Sequence, residues 1–247
     1  MISIEELNEV KAKKKTNLYY EEKEYLQYIF LNALSGFADK FTFKGGTCLR
    51  ICYNLERASE DLDFSAKLGL KEVKGIVNEC LKSFDLLGIN YKIYSEKEFK
   101  GNLRIEARFE GPLFNGNPSS TNTLKIDFNK GKVKNAVAKV VPQIFSDVPV
   151  FTVVALDEKE ILAEKIRTLI NRSQPRDLYD IWVLLSKGIQ LDKKLLKAKL
   201  KEENAKIDNL KMPSKQSYER DLKELLSYLP PYQQVKDYVV SELKLNL

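Results

Sequence analysis

Two short stretches carry residues whose types and spacing could do chemistry. In the first, Gly45-Gly46 joins an apolar run, Phe41 to Lys44, to a segment in which Leu49, Ile51, Cys52 and Leu55 recur at helical spacing. A glycine pair lets the backbone turn tightly and approach a ligand, and the first amides of a helix beginning at Thr47 would form an anion site suited to phosphate. The plainer reading is a strand-to-helix turn, and no Gly-Lys-Ser/Thr follows at P-loop spacing. Then, in Ser59-Glu60-Asp61-Leu62-Asp63-Phe64, two aspartates stand two apart, so that on a strand both project from one face. A divalent cation relieves their repulsion most directly, and Mg²⁺ favours one or two carboxylates plus substrate phosphates. An exposed strand edge would explain them without a metal. Asp127 interrupts the β-favourable run Leu124-Lys125-Ile126-Asp127-Phe128. Beside the strand of Asp61 and Asp63 it would complete a two-metal carboxylate set; elsewhere it is a surface residue.

A second group lies later in the chain. Ile161, Leu162, Lys165, Ile166 and Leu169 share one helical face, which puts Lys165 among apolar residues. Phosphate contact would account for it, as would a stem lying on apolar surface with its ammonium reaching water. Asp177 falls in the first turn of the next helix, where the helix dipole favours a carboxylate. Asp180 stands beside the face of Ile181, Leu184 and Leu185, where it could pair with Lys165 or Arg176.

Composition narrows the chemistry. The 247 residues contain no histidine, which removes Ser/His/Asp and Cys/His catalysis and every histidine-ligated metal site. Carboxylates, lysine, arginine and backbone remain. A hydrophobic fraction of 43% beside 31% charged residues suits a globular chain with a sizeable core. The net charge of +6 favours a polyanionic partner without requiring one. Cys48, Cys52 and Cys80 sit in apolar helical patterns and read as reduced thiols rather than a disulfide framework. No apolar run is long enough to span a bilayer, and Met1 to Lys15 lacks a signal-peptide pattern, so a cytoplasmic protein without membrane partners is expected.

The elements that must position these residues follow from periodicity. Helices are expected over Glu5–Ala12, Tyr19–Leu34, Thr47–Leu55 and Leu70–Leu87, and strands over Phe41–Lys44, Leu62–Ser65, Tyr91–Tyr94, Leu103–Glu110, Thr123–Phe128 and Val137–Val141. Pro112 to Asn122 reads as an exposed loop, and Pro142 to Pro149 as a connector leading through Val150 to Ala155 into helices. Those are expected over Asp157–Asn171, Arg176–Lys187, Asp192–Glu203, Ser214–Leu229 and Tyr232–Leu245. The pattern predicts an α+β protein of two lobes, residues 1–145 with a mixed sheet flanked by helices and residues 146–247 helical, with a ligand cleft between them. Lys193, Lys194, Lys197, Lys199 and Lys201 crowd one helix, as an RNA-binding face or a solvated one.

Phe43-Lys44-Gly45-Gly46-Thr47 with Leu49, then Arg57 and Ser59-Glu60-Asp61-Leu62-Asp63-Phe64, and later Glu164-Lys165 with Pro175-Arg176-Asp177-Leu178-Tyr179-Asp180, together resemble the AbiEii toxin family of nucleotidyltransferases. The likeness spans approximately residues 20 to 185. It implies a polymerase-beta-like nucleotidyltransferase fold for the N-terminal lobe, and a toxin of abortive-infection (phage-defence) and type IV toxin–antitoxin systems with a cognate antitoxin encoded nearby. It further implies that Lys44, Gly45, Gly46, Thr47, Arg57, Ser59, Lys165 and Arg176 bind the nucleoside triphosphate. Asp61, Asp63 and Asp127 would hold Mg²⁺ or Mn²⁺, and these three with Lys165 and Asp180 would form the catalytic set. Ala58 departs from the aromatic residue often found there. The implied reaction moves a nucleoside monophosphate to an acceptor hydroxyl, foremost the 3′ end of transfer RNA; a nucleotide- or RNA-binding module that transfers nothing and a protein-nucleotidylating enzyme are the alternatives.

Overall fold

A computed structural model describes residues Met1 to Asn246. The chain divides into two compact units, one made of Met1–Asn54 with Ala58–Leu156, the other of Leu55–Arg57 with the residues from Asp157 onward.

The first unit is built on a mixed seven-stranded sheet. Its strands are β1 (Phe41–Lys44), β2 (Asp61–Ala66), β3 (Tyr91–Phe99), β4 (Asn102–Phe109), β5 (Asn122–Asn129), β6 (Ala136–Val141) and β7 (Phe151–Leu156), in the order β3-β4-β5-β2-β1-β7-β6. The pairs β2/β5 and β1/β7 are parallel and the rest antiparallel. Helices α1 (Ile4–Lys14), α2 (Leu18–Leu34), α3 (Gly45–Tyr53) and α4 (Leu70–Leu86) complete it. Strand alternation creates the core: Leu62 and Phe64 of β2, Ile105 and Ala107 of β4, and Leu124, Ile126 and Phe128 of β5 all point to one face and are fully buried. There Phe64 stacks on Phe43 and on Phe128, each with ring centroids 5.2 Å apart. Each buried ring contributes roughly 2–3 kcal/mol. A one-residue slip of β2 would bury its aspartates and expose Phe64, so the same packing that stabilises the unit holds the carboxylates on the other face.

Four elements differ from the sequence reading. The stretch expected to lead into the helices is instead an internal strand, β7, whose burial alternates: Phe151, Val153 and Ala155 are buried while Thr152 is exposed. The helix after the glycine pair starts at Gly45 rather than Thr47, so both glycines lie in its first turn. Strand β3 runs on to Phe99 instead of ending at Tyr94. In the second unit the helix expected over Ser214–Leu229 closes early.

That unit comprises α5 (Glu158–Arg172), α6 (Pro175–Ser186), α7 (Lys193–Glu202), α8 (Lys215–Leu222) and α9 (Tyr232–Asn246). Asp157 caps α5 by accepting from the Lys159 N–H, and Asp192 caps α7 by accepting from the Leu195 N–H. Helix α8 ends at Leu222 because the chain tightens there, with the Leu225 N–H donating to the Leu222 carbonyl at 3.0 Å and the Leu225 side chain buried, ahead of Pro230-Pro231. Among the described residues, no helix is long and apolar enough to cross a membrane. Cys48, Cys52 and Cys80 are free thiols.

Candidate active site

On the face of β2 opposite the phenylalanine core, Asp61 and Asp63 stand half-buried. Gly45 explains how Asp63 is held: its φ is +79°, and a Cβ placed on it would lie 2.3 Å from Asp63 Oδ2. The carboxylate therefore occupies the space that any other residue's side chain would need, at the N-terminal end of α3. Lys44 precedes that end and pairs in register with Asp63 across β1 and β2. Thr47 is buried, its hydroxyl bonded to the Asp61 carbonyl and 2.9 Å from the Ser59 hydroxyl. Thr47 and Ser59 thus fasten the segment entering β2 to α3, and Gln27 of α2 fastens it again by donating to the Ser59 and Glu60 carbonyls at 3.0 and 3.1 Å.

Asp127 joins this pair. Strand β5 lies beside β2, and Asp127 is the register partner of Asp63 in the parallel ladder. Its carboxylate takes both prongs of the Arg104 guanidinium, at 2.8 and 2.9 Å. Among the described residues, no three acidic or cysteine side chains converge as a ready metal site. The chemistry of the donors nevertheless suits a divalent cation. Burial raises the Asp61 carboxyl above its ordinary range, with Lys125 and Arg104 opposing the shift and Glu60 and Asp127 adding to it. A cation would offset the cost of that charge. Asp61 and Asp63 offer it two carboxylates on one strand face, whereas the carboxylate of Asp127 is shared with Arg104.

The later group of predicted residues forms a buried ionic cluster in the second unit. Arg57 grips Asp180 through two bonds of 2.6 and 2.7 Å, and Lys165 Nζ lies 2.7 Å from Asp180 and 3.0 Å from Asp177. Asp177 also accepts from Arg172 at 3.0 Å. Asp180 therefore pairs with Lys165, as the helical spacing allowed, and also with Arg57. Asp177, which its position alone would explain as a first-turn carboxylate, is an ion-pair partner as well. Burial pushes both carboxyls up, but Arg57 and Lys165 outweigh it at Asp180, and Lys165 and Arg172 do so at Asp177, so both sit below the usual carboxylate range. Arg176 is half-buried in the first turn of α6. In the lysine-rich helix, Lys199 turns inward onto Glu160 and Glu164 at 2.6 and 2.9 Å, leaving Lys193, Lys194, Lys197 and Lys201 exposed.

A profile of the nucleotidyl transferase AbiEii toxins of type IV toxin–antitoxin systems matches residues 29–239. The chain belongs to this family. It is an AbiEii nucleotidyltransferase, and membership implies an antitoxin partner. Among solved structures it resembles MenT4, a nucleotidyltransferase toxin from Mycobacterium tuberculosis H37Rv, with a TM-score of 0.72 and 18% identity over 96% of this chain and 87% of that one. It also resembles JHP933 from Helicobacter pylori, with a TM-score of 0.63 and 19% identity over 93% of this chain and 92% of that one. At these identities the likeness is one of fold. No curated protein matches the chain.

In this AbiEii chain the Gly45 contact leads to a direct test. Gly45→Ala forces a side chain into a left-handed backbone and against the Asp63 carboxylate, and is expected to lower nucleotide transfer at least about fivefold, from roughly 1–3 kcal/mol of strain and displacement. Gly75→Ala, where a methyl group meets nothing within 4 Å, serves as the control. Equal initial rates for the two variants would refute the cradle.

The sequence reading passed over Arg104 and Lys125. Both lie on outward positions of strictly alternating strands, and β4/β5 pairing puts Arg104 opposite Asp127 and Glu106 opposite Lys125. Their signal was that alternation, but it becomes informative only once the register is known. Lys23 of α2 was also missed; its ammonium donates to the Thr123 carbonyl, and burial lowers it to about 8 despite the opposing pull of Glu60 and Asp61.

Proposed function

We propose that this AbiEii protein transfers a nucleoside monophosphate from a nucleoside triphosphate to the 3′-hydroxyl of an RNA, with transfer RNA the foremost acceptor, in the cytoplasm and under control of an antitoxin encoded nearby. One observation carries the reading: Asp61 and Asp63 share a face of β2, with the Asp63 carboxylate seated against Gly45 at the start of α3, in a chain of the nucleotidyltransferase family. In this reading the amides of Gly45 and Gly46, with Lys44, hold the triphosphate at the helix N-terminus. The Thr47 hydroxyl is turned inward, so its part is to fix Asp61. Asp61 and Asp63 would hold Mg²⁺ or Mn²⁺, which supplies charge neutralisation to the reacting phosphates when bound.

The acceptor oxygen forms a bond to the α-phosphorus while the bond from that phosphorus to the bridging oxygen breaks, and pyrophosphate leaves with the electron pair. Asp127, the strand neighbour of Asp63, receives the proton of the acceptor hydroxyl, and Arg104 holds that carboxylate in place. Arg57, Lys165 and Asp180 act as positioning residues: their mutual bonds anchor the chain just before Ser59 and Asp61. Support for RNA as acceptor comes from the net charge of +6 and the four exposed lysines of α7.

Purified protein incubated with total cellular RNA, Mg²⁺ and each α-labelled nucleoside triphosphate in turn is expected to label a band of transfer-RNA size. The label should vanish with EDTA and return with added Mg²⁺ or Mn²⁺. Label in protein instead would overturn the acceptor, and no label despite retained nucleotide binding would reduce the chain to a binding module.

A further inference from the structure

Beside Asp61, on the same polar face of the sheet, lies a basin enclosing about 260 Å³ of water-accessible space. One water needs roughly 10–15 Å³ by this measure, so the basin has room for a planar group and not merely an ion. Its rim carries two cations set over aromatic rings. The Arg108 guanidinium of β4 lies 4.1 Å from the Tyr94 ring centroid, and the Lys23 ammonium lies 5.1 Å from that of Tyr19. Tyr94 is 63% exposed and Tyr19 47%, so large aromatic faces stay open to solvent.

The aim of Tyr94 has a backbone cause. Ile93 pairs with Ala107 and Ser95 with Glu106, which leaves Tyr94 as the extra residue of a β-bulge. Bulges re-aim a side chain at some cost to the ladder and recur beside active sites. Lys125, the register partner of Asp61, also lines the basin.

The geometry of the reaction assigns this basin a side. With the triphosphate at Gly45, next to β1, the departing pyrophosphate and the attacking hydroxyl must lie on opposite sides of the α-phosphorus. The sheet order puts β1 on one side of β2 and β5, β4 and β3 on the other. The acceptor therefore approaches over the β5–β4–β3 face, where the basin lies.

We propose that the basin receives the terminal nucleotides of single-stranded RNA, a base stacking on the Tyr94–Arg108 pair and the backbone phosphate meeting the exposed Lys125. Single-stranded bases stack on tyrosine rings and arginine planes with little regard to sequence, because every base has a flat face. A peptide acceptor has no planar group to match this rim and would be caught more readily along a free strand edge, whereas the basin lies on the face of the sheet. This inference rests on the proposed transfer to RNA.

The probe is a 5′-fluorescein-labelled single-stranded RNA dodecamer, bound in the absence of nucleotide and followed by anisotropy. Tyr94→Ala and Arg108→Ala alter exposed side chains and each is expected to weaken binding about 5- to 150-fold, while Tyr94→Phe stays within about twofold of wild type. In transfer assays Tyr94→Ala should raise KM for RNA and leave KM for the triphosphate unchanged. Wild-type affinity in both alanine variants, or no RNA binding by the wild type, overturns the basin. Binding lost in Tyr94→Ala with no transfer by the wild type upholds the basin and overturns the transferase. Transfer into RNA with an unchanged RNA KM in Tyr94→Ala does the reverse.

Discussion

Asp63→Ala is expected to abolish nucleotide transfer, lowering the rate at least about 10³-fold, while the protein stays folded. The figure follows from the several kcal/mol that a metal-held carboxylate site contributes to transition-state charge stabilisation, at about 1.4 kcal/mol per decade of rate. Asp63 is half-exposed, so its loss removes no core packing. The space it vacates is bounded by Gly45 and open on the solvent side. The unfolding free energy should therefore shift by no more than surface substitutions do, about 0.5 kcal/mol. Asp63→Asn separates charge from shape: it fills the cradle at Gly45 but removes the charge of the proposed metal ligand, and should be nearly as inactive. Rates are read at saturating triphosphate with added Mg²⁺. A rate within about tenfold of wild type in both variants would show that Asp63 does not hold the metal.

Asp180→Ala should act on stability first. Asp180 is fully buried, and its removal leaves Arg57 and Lys165 with an uncompensated share of positive charge. Breaking a buried pair in this way costs about 3–5 kcal/mol, much of the stability of an ordinary domain. Urea titration followed by helical circular dichroism would measure the loss, and a midpoint equal to wild type would contradict the cluster's importance.

The pH dependence has a definite sign. Asp177 and Asp180 are held below their ordinary range in the folded protein, so their contribution is fully present above the unfolded carboxyl value of about 3.9 and fades as pH falls through the lower folded values. Wild type should thus lose stability below about pH 4 from these groups, and Asp180→Asn should lose less over that interval. Between about pH 5 and 7 neither aspartate contributes a slope. Lys165 and Arg57 are raised above their ordinary values, so they remain charged across this whole range.

The local chemistry was legible in the chain itself. The period-2 alternation of Asp61-Leu62-Asp63-Phe64 sets two carboxylates opposite two core residues, and the burial of Leu62 and Phe64 follows it. Gly45-Gly46 marked a strand-to-helix junction, and the helical spacing around Lys165 put that lysine on an apolar face, though not whether its ammonium was buried or reached water. The total absence of histidine confined the chemistry to carboxylates and cations. These features depend on neighbours within a turn or two, where spacing and side-chain direction are fixed by backbone geometry alone.

Other features depend on which distant segments meet. Asp127 reaches Asp63 only because β5 inserts beside β2, and Arg57 finds Asp180 across 123 residues of chain. Lys199 looked like one more surface lysine until α7 packed it against Glu160 and Glu164. Tyr94 gained its aim from a bulge that exists only in the β3/β4 ladder. Periodicity records which face of an element is buried but not what lies across from it; the partner is chosen by strand register and helix packing, which are properties of the whole folded unit.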